Sequence, residues 1–411
     1  LSGLVTTIAL FFAGYLLFDN KKIGLLSSFI YALSPFSVFF DRLALADSML
    51  AMFGVLTFLG SILIVKTKRL DMAMLTGFAF GGAFLTKSPS LFFILLLPSS
   101  FLLTDWPKRK KEKLVTLGKI VGLWIVALSI GYGMYNIQRL GPSFHLLAQR
   151  NRDYVYPLSH IFESPLDPLR PFLNRIYEYF LIMGPSVLIF ISALGVIVNF
   201  SKKRKEMLMV AAWGLLPILV NAEFAKNMTA RYVFFAVPYF YILAASAFYA
   251  KKGLFKKIFV AGLIMFTIHS LYIDYYFLTD IEKAPLPRSE RSGYLEEWTA
   301  GTGIKEIAEY IIKVHKENPE RQIVVGTEGY FGTLPDALQA YLNPYREIVV
   351  KGIGLELDHV PEDLLESRDS GNEVYLVVNN SRLFLNPKSV NMEIVAAFPK
   401  AVKPDGSRQT L

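Results

Sequence analysis

The sequence predicts a polytopic α-helical membrane protein with about ten transmembrane helices, followed by a small extracytoplasmic α/β domain. Three observations support this fold class. Of the 411 residues, 53% are hydrophobic and 19% are charged, which is more apolar side chain than a soluble core of this size uses. The apolar residues form runs close to the roughly 20 residues that a helix needs to cross a bilayer. The basic residues cluster between these runs in a regular order.

The runs are predicted to be helices because backbone groups inside lipid must form hydrogen bonds within their own segment. The predicted spans are residues 1–18, 23–40, 43–65, 71–86, 89–104, 114–135, 181–199, 207–222, 232–249 and 258–276. Together they define a transmembrane domain over residues 1–278, and residues 279–411 form the second domain.

The basic clusters give the orientation of the chain. Threading it through ten spans places five clusters on one face, which the positive-inside rule identifies as the cytoplasm: residues 21–22, 66–69, 108–113, 202–205 and 251–257. The net charge of +9 then reflects multi-pass topology in a cell membrane, and nucleic-acid binding is not indicated. The chain starts outside, in a hydrophobic run without Met, so we expect a further segment upstream.

Ionisable residues near membrane depth on the outer face are functional candidates, because burying a charge in lipid is costly. In "FFDRLALADSML", Arg42 offers a planar fork for phosphate or carboxylate, and Asp47 can accept a proton or orient a hydroxyl. The alternative is that Arg42 and Asp47 form an ion pair that ties two helix ends together.

Two further outer segments carry cations. "GGAFLTKSPS" ends in Lys87 before a proline, and "EFAKNMTARYVFFAVPYF" contains Lys226, Arg231 and Tyr232 just before a span. Each residue alone is explained by snorkelling or interfacial anchoring. Several cations on one outer face suggest an anionic ligand that arrives from the membrane, and a lipid phosphate fits this description.

The external segment 136–178 is rich in proline, aromatic and charged residues, which predicts an irregular or partly interfacial loop. Arg152 and Tyr154 are candidates for contact with a sugar or a lipid carrier, and anchoring at lipid headgroups is the alternative. His145 and His160 are isolated and there is no cysteine, so no metal site is predicted. A divalent metal is compatible with the sequence but not indicated by it, and no cofactor is assigned.

At these residues the chain resembles the GT-C superfamily of membrane glycosyltransferases. The resemblance rests on three motifs in order: "RLALAD" from Arg42 to Asp47, "FLTKSP" from Phe84 to Pro89, and "ARYVFFAVPYFYILAA" from Ala230 to Ala245. The branch of dolichyl-phosphate-mannose-protein mannosyltransferases and aminoarabinose transferases is the most similar. The family's N-terminal helix and first external loop are expected to precede the present first residue.

The resemblance implies transfer of a sugar from a polyprenyl-phosphate donor to a glycan, lipid or protein acceptor on the extracytoplasmic face, with inversion. The leaving group is then a lipid phosphate, which needs cations, and the acceptor needs a carboxylate base. Arg42, Lys87, Lys226 and Arg231 are candidates for the phosphate, with Tyr232 beside them. The family's base lies in the first external loop, so Asp47 is expected to have a supporting catalytic role.

The C-terminal region reads as a soluble α/β domain. "TGIKEIAEYIIKVHKE" is an amphipathic helix, "RQIVVGT" and "EVYLVVNN" are buried strands, and a glycine-bearing turn leads into a helix between them. No phosphate-binding glycine motif is present, so packing or acceptor docking is the expected role.

Two other function classes stay open at this point. A secondary transporter or flippase would also be polytopic with charged residues in the membrane, but internal repeats are typical of that class and none is visible here. A non-catalytic membrane scaffold for the C-terminal domain leaves the outer charges unexplained. The sequence does not specify the sugar, the carrier, the acceptor or the oligomeric state.

Overall fold

The computed structural model describes residues 1–184, 186–249 and 253–411 and is mostly helical. The chain divides into two compact units, Leu1–Pro287 and Arg288–Leu411, each with its own internal packing. Lys251 and Lys252, part of the predicted fifth basic cluster, lie outside the described residues.

The first unit is built from helices. The first seven are α1 Ser2–Phe18, α2 Lys21–Leu33, α3 Pro35–Phe40, α4 Asp47–Thr67, α5 Leu70–Thr86, α6 Leu91–Leu96 and α7 Lys110–Tyr135. They are followed by α8 Leu146–Tyr154, α9 His160–Glu163, α10 Leu169–Ile182, α11 Val187–Asn199, α12 Arg204–Phe224, α13 Arg231–Phe234, α14 Val237–Ser246 and α15 Leu254–Thr279.

Each of the ten predicted segments overlaps at least one of these helices, but the helices differ in length and three of them, α8, α9 and α10, lie wholly or mostly between the predicted spans. Within the described chain, four are individually long and apolar enough to cross a membrane, in the ranges Asp47–Thr67, Lys110–Leu140, Arg204–Phe224 and Leu254–Thr279. A fifth is added if α10 and α11 count as one bent span. Shorter apolar helices make up the rest: Ser2–Phe18, Leu70–Thr86, Ser88–Leu103 and Val237–Tyr249. The first unit thus has the composition of a membrane protein.

Proline explains one of the shorter elements. The predicted span 23–40 is interrupted at Ser34, which adopts an extended conformation before Pro35. Proline disfavours the helical conformation in the residue before it, so α2 ends and α3 begins anew. The backbone N–H of Phe36, freed by the break, donates to the carbonyl oxygen of Met183 at 3.1 Å.

The glycines of α5 permit the close helix packing that the sequence predicts. A Cβ on Gly81 would lie 2.2 Å from the Met134 sulfur of α7, and one on Gly82 would lie 2.3 Å from the Phe53 ring of α4. Both distances are below any real van der Waals contact, so these positions exclude larger side chains without repacking.

The segment 136–178 is more helical than predicted. It contains α8 and α9, and α10 begins at Leu169, well before the predicted start at residue 181. The expectation of irregular structure is therefore wrong for its last part. Proline misled the prediction, because Pro171 lies in the first turn of α10, where a missing N–H removes no helical hydrogen bond.

The second unit contains a three-stranded parallel sheet with strand order β2–β1–β3. Its elements are α16 Arg288–Arg291, α17 Ile304–Glu317, β1 Ile323–Glu328, α18 Thr333–Leu342, β2 Ile348–Gly354, α19 Glu362–Asp369, β3 Glu373–Val377, β4 Pro399–Val402 and β5 Arg408–Thr410. Helices α17 and α18 pack their apolar side chains on one face of the sheet. Leu364 of α19 meets Gly326 of β1 on the other face.

Helix α17 and strands β1 and β3 coincide with the predicted elements, and α18 follows the glycine-bearing turn as expected. Strand β2 and the antiparallel pair β4–β5 were not predicted. The residues of β2 are mostly only half-buried and include Lys351, so this edge strand lacks the continuous apolar run of a central parallel strand.

One buried cation stands out in the second unit. The side chain of Lys400 is buried, and its Nζ donates to the carbonyl oxygens of Glu297 at 2.9 Å and Ala300 at 3.1 Å. Burial lowers the pKa of Lys400 to about 8, and the negative charges of Glu328 and Glu297 offset part of this effect.

Candidate functional site

The centre of the candidate site is an ion pair between two helix ends. Asp47 is the first residue of α4 and is buried, whereas Lys87 directly follows α5 and is partly exposed. Lys87 Nζ lies 2.6 Å from Asp47 Oδ1. The helix N-terminus favours the carboxylate at this position, and the carboxylate holds the ammonium in place. The carboxylate of Asp47 is therefore stabilised from two sides, by the N-terminus of α4 and by the ammonium of Lys87.

Tyr232 lies beside this pair. Lys87 Nζ is 5.7 Å from the centre of the Tyr232 ring, and the guanidinium carbon of Arg231 is 5.1 Å from the same centre. Arg231 Nη2 also lies 3.4 Å from the Tyr232 hydroxyl. The structure thus brings together Asp47 of α4, Lys87 at the end of α5 and the neighbouring residues Arg231 and Tyr232 of α13, three positions that are far apart in the sequence.

Arg42 makes a different contact. Its Nη1 donates to the carbonyl oxygen of Phe277 at 2.6 Å, in the last turn of α15. It does not form the ion pair with Asp47 that was one of the two interpretations of the sequence, since Asp47 pairs with Lys87. The guanidinium carries five N–H donors, so this single bond to a carbonyl leaves it able to bind an anion.

Asp41, at the start of the same turn, has a packing role. It accepts a hydrogen bond from the Tyr31 hydroxyl at 2.9 Å. Its carboxylate lies against the backbone of Gly3, where a Cβ would be 2.1 Å from Asp41 Oδ2. Asp41 therefore connects α1, α2 and the turn, and any larger residue at position 3 would displace it.

Lys226 is engaged by the external segment. Its Nζ donates to the carbonyl oxygen of Arg152 at 2.8 Å and lies 5.7 Å from the centre of the Tyr156 ring. Its backbone N–H donates to the carbonyl oxygen of Tyr154 at 2.9 Å, next to an antiparallel bridge between Val155 and Ala225. Arg152 and Tyr154 thus contact the α12–α13 connection through backbone atoms, and their side chains are exposed.

A contact that the sequence did not indicate joins this segment to the ion pair. Ser88, the residue after Lys87, donates from its hydroxyl to Asn151 Oδ1 at 2.9 Å. Glu223 lies in the same outer segment as Lys226 and Arg231 but was given no role from the sequence; it is buried at the end of α12, and its Oε1 has no hydrogen-bond partner within the described residues. The sequence signal for Ser88 is its place directly after Lys87. The signal for Glu223 is an acidic residue at the end of an apolar run, just before Lys226.

The arrangement suits an anion better than a metal ion. Within the described residues, no group of three or more His, Asp and Glu side chains is placed to hold a metal. The cations Lys87 and Arg231 lie on one tyrosine ring, and α8 adjoins them through Asn151. An ammonium held by a buried carboxylate and a guanidinium nearby can stabilise charge that develops on a phosphate oxygen.

A known family matches part of the chain. The model of the family described as dolichyl-phosphate-mannose-protein mannosyltransferase matches residues 1–131, which include Arg42, Asp47 and Lys87. No curated protein matches the chain. The third motif, which carries Arg231 and Tyr232, lies beyond the matched residues. Over residues 1–131 the chain is thus similar to the dolichyl-phosphate-mannose-protein mannosyltransferases, and the match confirms the resemblance to GT-C membrane glycosyltransferases.

Proposed function

We propose that this protein is a membrane glycosyltransferase that moves a sugar from a polyprenyl-phosphate donor to an acceptor on the extracytoplasmic face, with inversion at the anomeric carbon. The observation that carries the proposal is the ion pair of buried Asp47 and partly exposed Lys87 beside Arg231 and Tyr232. The match of residues 1–131 to a mannosyltransferase family supports the same reaction class.

In this proposal Lys87 binds a phosphate oxygen of the donor with the donors that Asp47 leaves open. Asp47 orients Lys87 and does not remove the acceptor's proton, because its Oδ1 accepts from that ammonium at 2.6 Å. Arg231 and Arg42 supply further positive charge to the leaving phosphate, and Tyr232 shapes the wall beside it. Charge on the phosphate grows as the glycosidic bond breaks, so these contacts strengthen in the transition state.

The outer segment completes the proposed site. The contacts of Ser88 with Asn151 and of Lys226 with Arg152 hold α8 close to the cations. Lys226 keeps two N–H donors beyond the one on Arg152 and can approach the donor phosphate from this side. The exposed side chains of Arg152 and Tyr154 then face the sugar or the lipid carrier.

The proposed topology has ten spans in the cell membrane. In this topology a short apolar helix crosses the membrane together with the helix next to it in the chain, so that two helices separated by a proline break form one span. The basic clusters lie in the cytoplasm, and the domain over residues 279–411 lies outside and takes part in acceptor docking. The acceptor is a glycan, a lipid or a protein of the cell envelope.

Donor-dependent transfer tests the proposal. Full-length protein in membranes is supplied with one radiolabelled polyprenyl-phosphate sugar at a time, and transfer to endogenous acceptors is measured. We expect transfer from at least one lipid-phosphate sugar, no transfer from the matching nucleotide sugar, and loss of transfer in Lys87→Gln. Transfer from none of the lipid donors, or transfer independent of Lys87, would contradict the proposal.

A further inference from the structure

Strand β3 forms one edge of the parallel sheet in the second unit, and helices cover both faces beside it. On one face, Tyr310 of α17 packs against Tyr375 of β3, with ring centres 5.9 Å apart. On the other face, Leu364 of α19 contacts the sheet at Gly326. Both helices also line the space beyond β3, and together they form the sides of a groove next to the strand edge.

The groove has a volume of about 810 Å³, which is within the size range of ligand-binding sites. Its inner side is β3, and its outer side is the segment of residues 392–398, which has no regular secondary structure. Ile394 and Val395 of this segment are 69% and 55% exposed. The segment therefore borders the groove without filling it.

The backbone on both sides of the groove is unpaired. Within the described residues, no backbone hydrogen bond joins the outer edge of β3 to another segment, and residues 393–397 form none with any part of the chain. A free strand edge is a template for another strand, since its N–H and C=O groups alternate along the groove. A helix or a small apolar molecule in the groove would leave these groups without partners.

We infer that the groove binds a polypeptide segment in extended conformation, which adds to the sheet at β3 and lies between β3 and residues 392–398. Backbone hydrogen bonds provide the affinity, and the apolar walls select alternate apolar side chains. This inference concerns the second unit alone and does not depend on the transferase proposal. If that proposal holds, the bound segment is a natural candidate for a protein acceptor.

The ladder identifies the backbone groups involved. Glu373 donates its N–H to Gln322 toward β1, and residues alternate along a parallel strand, so the N–H groups of Val374 and Leu376 point into the groove. By the same alternation, Val350 on the opposite edge strand β2 points its N–H away from β1. Proline at either position removes an outward donor and no bond of the sheet.

The test uses full-length protein in detergent and a fluorescein-labelled peptide of alternating threonine and valine, followed by fluorescence anisotropy. We expect saturable binding, weakened about tenfold by Leu376→Pro and unchanged by Val350→Pro. The same peptide methylated on alternate backbone nitrogens should also bind about tenfold more weakly. Because the methylated peptide needs no change in the protein, it decides the question even if Leu376→Pro impairs folding.

Hydrogen exchange of β3 distinguishes an added strand from closure by the chain itself. The outward amides of Val374 and Leu376 should exchange rapidly in the free protein and slow at least tenfold with saturating peptide, whereas the Glu373 amide, which is bonded to Gln322, is protected in both states. Three results would overturn the inference: no binding to the native chain, equal binding of the methylated peptide, or protection of the Val374 and Leu376 amides without peptide. The last would indicate that residues 392–398 pair with β3 themselves.

Discussion

The ammonium of Lys87 and the carboxylate of Asp47 are 2.6 Å apart, and the two side chains differ in exposure, 29% for Lys87 and 4% for Asp47. The Asp47 carboxylate is therefore buried within the helix bundle, whereas the Lys87 ammonium is partly accessible to solvent. A pair of this kind holds a cation at a boundary, where its remaining donors can meet an incoming anion.

Removing Lys87 should damage both folding and transfer. Lys87→Gln leaves Asp47 as a buried charge without a partner, and breaking a buried pair typically costs about 3–5 kcal/mol. We expect reduced accumulation in membranes, measured by immunoblotting, and transfer lowered by about a hundredfold per molecule.

The double variant Asp47→Asn/Lys87→Gln separates these effects. It carries no charge at either position, so its accumulation should return to near the native level while transfer remains lost. Recovery of transfer in the double variant would show that the pair is needed only for folding. Lys113→Gln, an exposed lysine at the start of α7, is the matched control.

Substitutions of Arg42 test whether this residue only holds the end of α15 through Phe277 or also binds the leaving phosphate. Arg42→Ala should lower transfer by about a hundredfold if the guanidinium also contacts the leaving phosphate. Arg42→Lys should restore little, because an ammonium cannot reproduce the planar fork that serves two acceptors. Full activity of Arg42→Lys with normal accumulation would instead assign Arg42 to holding the end of α15.

Lys226 should control the mobility of α8. Lys226→Met keeps the length of the side chain but removes the bond to Arg152 and the cation–π contact with Tyr156. These contacts are exposed and worth about 1 kcal/mol together, so chymotryptic cleavage after Tyr154 should become about fivefold faster. Lys305→Met, in the second unit, should leave that rate unchanged, and an unchanged rate in Lys226→Met would mean that the backbone bridge alone holds the segment.

Reporter fusions test the orientation of the chain. Alkaline phosphatase joined after residue 280 should be active, because this enzyme folds only outside the cytoplasm, and a fusion at Lys203 should be inactive. The positive-inside rule gives this expectation, since residues 202–205 form one of the basic clusters. The opposite pattern would place the Lys87 site in the cytoplasm and remove it from an external acceptor.

The second unit should become more stable as the pH rises above neutrality. The pKa of Lys400 is about 8 in the folded chain and about 10.4 when unfolded, so between these values the unfolded state binds more protons. The free energy of unfolding should therefore rise by about 1 kcal/mol from pH 7 to pH 9. Below that range Lys400 is charged in both states and contributes no pH dependence.

Protection factors of β1 amides, with exchange rates corrected for their intrinsic pH dependence, measure this change as an increase of about tenfold. In Lys400→Met, which removes the titrating group, the increase should disappear. If the protection factors of the β1 amides in the native protein fall between pH 7 and pH 9, a group other than Lys400 dominates the pH dependence.

Hydropathy located most helices of the first unit, because a segment that crosses lipid must be apolar over its length. Within the described residues only four helices, or five with the bent pair of α10 and α11, are long enough to cross by themselves, so the count of ten spans stays a prediction. The pairing of Asp47 with Lys87 could not be predicted, since forty residues separate them and no local pattern encodes which helix ends meet. Lys226 was expected at the donor phosphate on charge alone. Its bond to Arg152 depends on a bridge between distant loops, which composition does not reveal. In the second unit, β2 escaped prediction because an edge strand with one wet side carries a weak apolar signal.

The hydrogen bond from Phe36 to Met183 has a mechanical consequence. A backbone donor released by a helix break inside an apolar bundle finds no water, and losing its acceptor costs several kcal/mol. Helix α3 therefore cannot slide or rotate independently of the turn that follows α10. Since α3 leads directly into the turn with Asp41 and Arg42, that turn is held at a fixed depth by a contact between two chain segments 147 residues apart.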